Sequence, residues 1–200
     1  CNNSGDINAA YAGGICGGRP LSGTIQYCWN TGIIDEGLDD NGDLKGGGGG
    51  ICGLRAGCYS GNHAQISYCY NTGPLTGQST GGICGLYPGS EEGTLTIFNC
   101  YNNANGVVIL DEDNTDISNQ GGILAPGAGL KENSESTAGG TVNVYNCWSK
   151  GNDLRNGIIA TYATGNTAAS AVVVKNFSRI GFKSLSIITI VLLSKHTNIC

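Results

Sequence analysis

An all-β chain wound as a parallel β-solenoid (β-helix) of about five to six irregular coils, with loop insertions, is what this sequence predicts. Three observations lead there. A short motif recurs as Cys1-Asn2-Asn3-Ser4-Gly5, Cys28-Trp29-Asn30-Thr31-Gly32, Cys69-Tyr70-Asn71-Thr72-Gly73, Cys100-Tyr101-Asn102-Asn103 and Cys147-Trp148-Ser149-Lys150-Gly151. A second motif alternates with it, as Gly13-Gly14-Ile15-Cys16-Gly17, Gly49-Gly50-Ile51-Cys52-Gly53 and Gly81-Gly82-Ile83-Cys84-Gly85, decaying to Gly121-Gly122-Ile123-Leu124-Ala125 and Asn156-Gly157-Ile158-Ile159-Ala160. The 35 glycines in 200 residues far exceed the usual share of about 7%. Self-similarity at steps of some tens of residues is the mark of stacked structural repeats.

A strand precedes the first motif. Ile25-Gln26-Tyr27-Cys28-Trp29, Ile66-Ser67-Tyr68-Cys69-Tyr70, Ile97-Phe98-Asn99-Cys100-Tyr101 and Val144-Tyr145-Asn146-Cys147-Trp148 align without gaps. Simple alternation puts Ile25, Tyr27 and Trp29 on one face and Gln26, Cys28 and Asn30 on the other, and both faces carry buriable groups. The Asn-Thr-Gly that follows has turn chemistry, since Asn tolerates and Gly freely adopts left-handed dihedrals. If every repeat turns at the same place, Asn30, Asn71 and Asn102 form a hydrogen-bonding ladder. Gly-Gly-Ile-Cys-Gly reads as a very short strand at a corner where backbones pack closely.

A sixth, degenerate copy runs from Val174 to Gly181 with Phe177 in the cysteine position, so steps from Cys1 to Phe177 are 27, 41, 31, 47 and 30 residues. The longer steps carry insertions: Ile33 to Gly48 is acidic and runs into the five glycines Gly46–Gly50, Val107 to Gln120 is acidic, and Lys131 to Gly140 is small and polar. They read as surface loops. Residues 1–181 are thus the repeat region and 182–200 an atypical apolar segment. Its run from Ser184 to Ser194 is shorter than the roughly 20 residues of a membrane span. A strand capping the last coil, a strand docking on another subunit and a frame error in the tail are its three readings.

The alternation of the two motifs resembles the GLUG-type repeats of large surface and adhesin-like proteins, including cysteine-bearing versions, over residues 1 to about 181. The resemblance implies a parallel β-solenoid with an extracellular passenger or structural role, and no catalytic residues. This chain departs from it at Leu124 and Ile159, where the second cysteine is lost, and in its tail.

Ten cysteines, mostly at repeat positions rather than in CxxC pairs, favour disulfides in an oxidising, extracellular setting. Unbridged buried thiols in a ladder are the rival. Neighbouring coils about 4.8 Å apart bring equivalent cysteines within disulfide range. Pairing within a coil is preferred: Cys1–Cys16, Cys28–Cys52 and Cys69–Cys84, with Cys100 and Cys147 pairing together and Cys58 and Cys200 left over. Asn2 and Asn176 lie in N-glycosylation sequons. The lack of Met and an opening inside a repeat suggest a processed product or a piece of a longer protein.

The net charge of −5, with no Lys/Arg cluster, argues against a nucleic-acid partner. Asp39, Asn41 and Asp43, and Asp111 with Asp113, have spacings suggestive of calcium, but Leu44 stands where the EF-hand glycine belongs. Solvated loops are the default, and no cofactor is expected. His63 near Cys52, Cys58 and Cys69 matches no standard zinc spacing, and His196 lies in the tail. The carboxylates sit in loops and not on strands, so no enzyme is expected. The aromatics Tyr27, Trp29, Tyr68, Tyr70, Tyr101 and Trp148 read first as core; if they face outward, they form a ladder for glycans or for contacts between fibres. The expected role is a non-catalytic structural subunit or segment of an extracellular or surface fibre, cell or virion, assembled head-to-tail with itself. An adhesive, carbohydrate-binding domain is the alternative.

Overall fold

The computed structural model describes residues 1–35, 47–106, 113–114, 120–130 and 139–150, with the backbone of three further strands between 171 and 191. The chain is all-β, and among the described residues it has no helix. In chain order the strands are β1 (Asn2–Asn3), β2 (Ile7–Asn8), β3 (Gly23–Gln26), β4 (Trp29–Asn30), β5 (Ile34–Asp35), β6 (His63–Ser67) and β7 (Tyr70–Asn71). They continue with β8 (Thr94–Phe98), β9 (Tyr101–Asn102), β10 (Thr141–Tyr145), β11 (Trp148–Ser149), β12 (Ala171–Lys175), β13 (Ser178–Arg179) and β14 (Ile190–Val191).

The chain deals these strands alternately into two six-stranded sheets. The first has the order β1-β4-β7-β9-β11-β13, parallel throughout. The second has β3-β6-β8-β10-β12 in parallel and ends in β14, which lies antiparallel to β12. A third track pairs β2 with β5 and continues through the parallel bridges Ile34↔Leu75 and Leu75↔Gly106. A fourth runs through Gly13↔Gly49↔Gly81↔Gly121 and Cys16↔Cys52↔Cys84↔Leu124. Each of the four repeats that begin at Cys1, Cys28, Cys69 and Cys100 therefore gives the same four short segments to the same four tracks.

Register follows the motif alignment residue for residue. Ile25 pairs with Ile66, Ile66 with Ile97, Ile97 with Val144 and Val144 with Val174. The degenerate sixth copy keeps that register, with Ser178 opposite Trp148. In β8 and β10 alternate residues are buried, Leu95 and Ile97 in one and Val142 and Val144 in the other. The Gly-Gly-Ile-Cys segments add Ile51, Ile83 and Ile123 to the same core. Burying each such aliphatic side chain is worth about 1.5–3 kcal/mol. A smaller cluster of Ile34, Leu75 and Ala104, with Ile7 against it, lies under the third track.

Two sequence expectations about the first motif are corrected here. Ile25, Tyr27 and Trp29 do not share a face. Ile25 packs against the core and Cys28 and Asn30 are buried, whereas Tyr27 and Trp29 are exposed. The cause is a left-handed residue at four successive corners between the two sheets: Tyr27, Tyr68, Asn99 and Asn146 have φ of 55°, 52°, 52° and 50°. One such residue re-aims the chain and shifts the alternation by one. The Asn-Thr-Gly segment does turn the chain, from β4 toward β5, with bends at Gly32 and Gly73 braced by the Asn30 and Asn71 side chains, but it does so without the expected left-handed dihedrals.

Of the tail, β14 is described, and it pairs Ile190 and Val191 with Val174 and Val173 of its own chain. Asp39, Asn41, Asp43, Asp111, Asn176, His196 and Cys200 lie outside the described residues.

Candidate functional site

Three kinds of column run through the stacked repeats, and they are what the structure offers as functional features. The first is an asparagine ladder. Asn3 Nδ2 donates to Asn30 Oδ1 at 2.7 Å, Asn30 Nδ2 to Asn71 Oδ1 at 2.8 Å and Asn71 Nδ2 to Asn102 Oδ1 at 3.0 Å. The same amides bridge their own turns. Asn30 and Asn71 donate to the carbonyls of Gly32 and Gly73, and the amide oxygens of Asn71 and Asn102 accept from the N–H groups of Gly73 and Ala104. Asn30, Asn71 and Asn102 are fully buried. Buried amides are tolerable only when satisfied in this way.

The second glycine of each Gly-Gly pair makes room for the ladder. A Cβ on Gly50 would sit 2.5 Å from Asn71 Cγ, and one on Gly14 would sit 2.7 Å from Asn30 Cγ. Gly82 stands in the same relation to Asn102. Sequence reasoning explained these glycines by a tight corner and missed the partner. The available signal was that Asn and Gly-Gly occur together in successive repeats.

The ladder stops at Ser149, which occupies the asparagine position one repeat further on. Asn102 Nδ2 is accordingly buried without a hydrogen-bond partner. Ser149→Asn would supply an amide oxygen there and is expected to stabilise the fold by about 0.5–1.5 kcal/mol. The readout is a higher urea midpoint at unchanged m-value. An unchanged or lower midpoint would refute the pairing.

The second kind of column is cysteine. Cys16, Cys52 and Cys84 stand in register on the fourth track, and Leu124 takes the next place. Cys28, Cys69, Cys100 and Cys147 precede β4, β7, β9 and β11, and the Cys1 amino group lies 3.4 Å from Cys28 Sγ. The described cysteines are all free thiols. Neither the in-coil pairs Cys1–Cys16, Cys28–Cys52 and Cys69–Cys84 nor the pair Cys100–Cys147 is bridged here; on the fourth track Cys16 stands beside Cys52 and Cys52 beside Cys84. The hydrogen bond to Cys52, then burial, pushes the Cys16 thiol up. Cys100 is raised by its bonds to Cys147 and Cys69 and by burial, while Cys69 and Cys147 are lowered, first by their bond to Cys100. Cys58 stands off both columns, and burial raises it to about 11.

The third kind is aromatic and lies outside the core, which among the described residues contains no aromatic side chain. That corrects the reading of the stripe as core: the left-handed corner turns it outward. Trp29, Tyr70, Tyr101 and Trp148 stack in one file, with ring centroids 5.8, 4.8 and 4.6 Å apart and planes within 4°. Tyr27 and Tyr68 stack separately at 5.0 Å and 15°, and Phe98 meets Tyr68 edge-on at 5.6 Å. Tyr27 is 62% exposed, Tyr68 46% and Trp29 36%. Because the rings in the longer file lie face to face, they turn edges and not faces to solvent.

The other sequence candidates are scattered. His63 is exposed, with Nε2 3.4 Å from the Thr96 hydroxyl. Asn2 and Asp113 are exposed. Among the described residues no group of three or more His, Cys, Asp or Glu is placed to hold a metal ion, and no helix is long and apolar enough to cross a membrane. Arg55 was not singled out from the sequence; its Nη1 donates to Tyr59 Oη at 3.0 Å and its guanidinium lies 5.9 Å over the Tyr87 ring. Comparison with protein-family models, curated proteins and solved structures finds no match to this chain.

Proposed function

We propose that the chain is a parallel β-solenoid serving as a non-catalytic structural segment of an extracellular or surface fibre or appendage. One observation carries this reading: equivalent residues of successive repeats stand against one another, asparagine on asparagine, cysteine beside cysteine and ring on ring. Side chains spent on their own copies one repeat away stiffen a rod and are taken up in internal contacts. β1 and β3 are sheet edges, which offer the same pairing to a further repeat of this polypeptide or of another copy. Because β14 pairs with β12 of its own chain, a junction between copies uses the first sheet, with β13 against β1.

A carbohydrate-binding, adhesive surface is the second reading, and the exposed Tyr27 and Tyr68 favour it. It ranks second because a sugar stacks on a ring face, and in the Trp29–Trp148 file both faces of Tyr70 and Tyr101 and the inner faces of the two tryptophans are already covered by rings.

Electron microscopy of native material without reductant tests the proposal. Six strands at about 4.8 Å make a rod of roughly 25–30 Å. Filaments with an axial repeat of that length are the expected result. Discrete short rods would overturn end-to-end assembly and make glycan binding the next assay.

A further inference from the structure

We infer that Tyr27 and Tyr68 form an oxidative modification site, at which a peroxidase-type one-electron oxidant joins two adjacent repeats through a dityrosine bond. The inference stands on the side-chain geometry and is independent of the proposed structural role.

Two phenols couple when both can be oxidised and their rings are neighbours. Tyr27 and Tyr68 meet both conditions. They occupy the same corner position of successive repeats, where Tyr27 N–H donates to Ser67 O and Tyr68 N–H to Phe98 O, each at 3.2 Å. Their ring centroids are 5.0 Å apart at 15°, and at 62% and 46% exposure both rings are open to solvent and to a diffusing oxidant. Proximity of this kind turns a bimolecular encounter into a local one. No third tyrosine adjoins the pair at this corner, because the next two repeats place Asn99 and Asn146 there, and Phe98, which meets Tyr68 edge-on, has no phenol.

The reaction balances with hydrogen peroxide as the oxidant. Each phenol gives up one hydrogen atom, a proton and an electron, and becomes a phenoxyl radical. The radicals join through a new bond between ring carbons ortho to the oxygens, one Cε of each residue. The hydrogens on those two carbons then move to the oxygens and restore both phenols. Peroxide takes up the two hydrogen atoms first released, its O–O bond breaks, and two waters leave. Exposure lets the rings swing from face-to-face to the joined biaryl arrangement.

Tyr70 and Tyr101 are the competing pair, with centroids 4.8 Å apart. Trp29 covers the free face of Tyr70 and Trp148 that of Tyr101, so neither ring can rotate into a biaryl without dismantling the file. Burial, followed by the neighbouring Tyr70, also raises the Tyr101 phenol. Selectivity between two pairs of nearly equal spacing is what distinguishes this proposal from general tyrosine oxidation.

The test treats the full-length folded chain with hydrogen peroxide and a haem peroxidase at high dilution. Dityrosine fluorescence is followed, and the joined residues are located by peptide mass spectrometry. Wild type is expected to give an intramolecular Tyr27–Tyr68 link with loss of two hydrogen atoms. Tyr68→Phe keeps the ring stack and is expected to lower the signal to background, whereas Tyr70→Phe leaves it intact. Circular dichroism before oxidation checks that each variant is folded. A link at Tyr70–Tyr101, links between molecules only, or oxidised tyrosines without any link would each overturn the proposal.

Discussion

Asn71→Ala is expected to destabilise the fold by about 3–5 kcal/mol, a large share of the total stability of about 5–15 kcal/mol typical of a domain. Asn71 sits mid-ladder, with its amide nitrogen donating to Gly73 O and Asn102 Oδ1 and its oxygen accepting from Asn30 Nδ2 and Gly73 N. Truncation removes all four bonds and leaves the buried Gly73 groups without their side-chain partner. An unsatisfied buried donor alone costs about 1–3 kcal/mol. Asn71→Asp gives the sharper test. An ionised carboxylate cannot donate, and it would face Asn102 Oδ1 and Gly73 O, so burial and these oxygens raise its pKa in the folded state above the unfolded value of about 3.9. A raised carboxyl pKa means the unfolded chain releases its proton first. Stability of this variant is therefore greatest below about pH 4 and falls as the pH rises through the folded value. Urea denaturation from acid to neutral pH reads this out. A variant equally stable across that range would show that the amide donors contribute little.

The other large effect is expected at Gly50. Gly50→Ala places a methyl carbon 2.5 Å from Asn71 Cγ and in collision with the Gly82 carbonyl oxygen. Neither obstacle is the far end of a flexible side chain. One is backbone on the fourth track, and the other is the central asparagine of the ladder. Overpacking typically costs about 1–3 kcal/mol, and disturbed ladder bonds add about 1 kcal/mol each. The expected total is at least about 3 kcal/mol, seen as a loss of soluble folded protein or a sharply lower unfolding midpoint. Gly17→Ala is the control, because a Cβ there meets nothing within 4 Å. If both variants unfold alike, the packing account of the Gly-Gly motif fails.

Much of this architecture is legible in the sequence because repetition fixes register. Once Ile25, Ile66, Ile97 and Val144 are aligned, strand pairing follows, and so does the contact of Asn30 with Asn71 and Asn102. The phase of the outer side chains was not legible. Period-two reasoning assumes unbroken extended backbone, and the left-handed residue between the strands breaks it. At two repeats that residue is Asn99 or Asn146, a recognised left-handed former, but at the others it is Tyr27 or Tyr68, and tyrosine gives no such signal. The aromatic stripe was read as core for that reason. The partners of the cysteines were equally hard to read, since in-coil and between-coil contacts leave the same spacing in the sequence.

Along the file Asn3, Asn30, Asn71 and Asn102 the bonds all run the same way, the nitrogens of Asn3, Asn30 and Asn71 each toward the amide oxygen of the following repeat. Their dipoles therefore add along the stack, and each bond polarises its neighbours and strengthens them by about 10–30%. A file of this kind has electrical ends: an accepting one at Asn3 and a donating one at Asn102. Its binding energy per repeat grows with the number of repeats joined, so a longer array holds together better, repeat for repeat, than a shorter one.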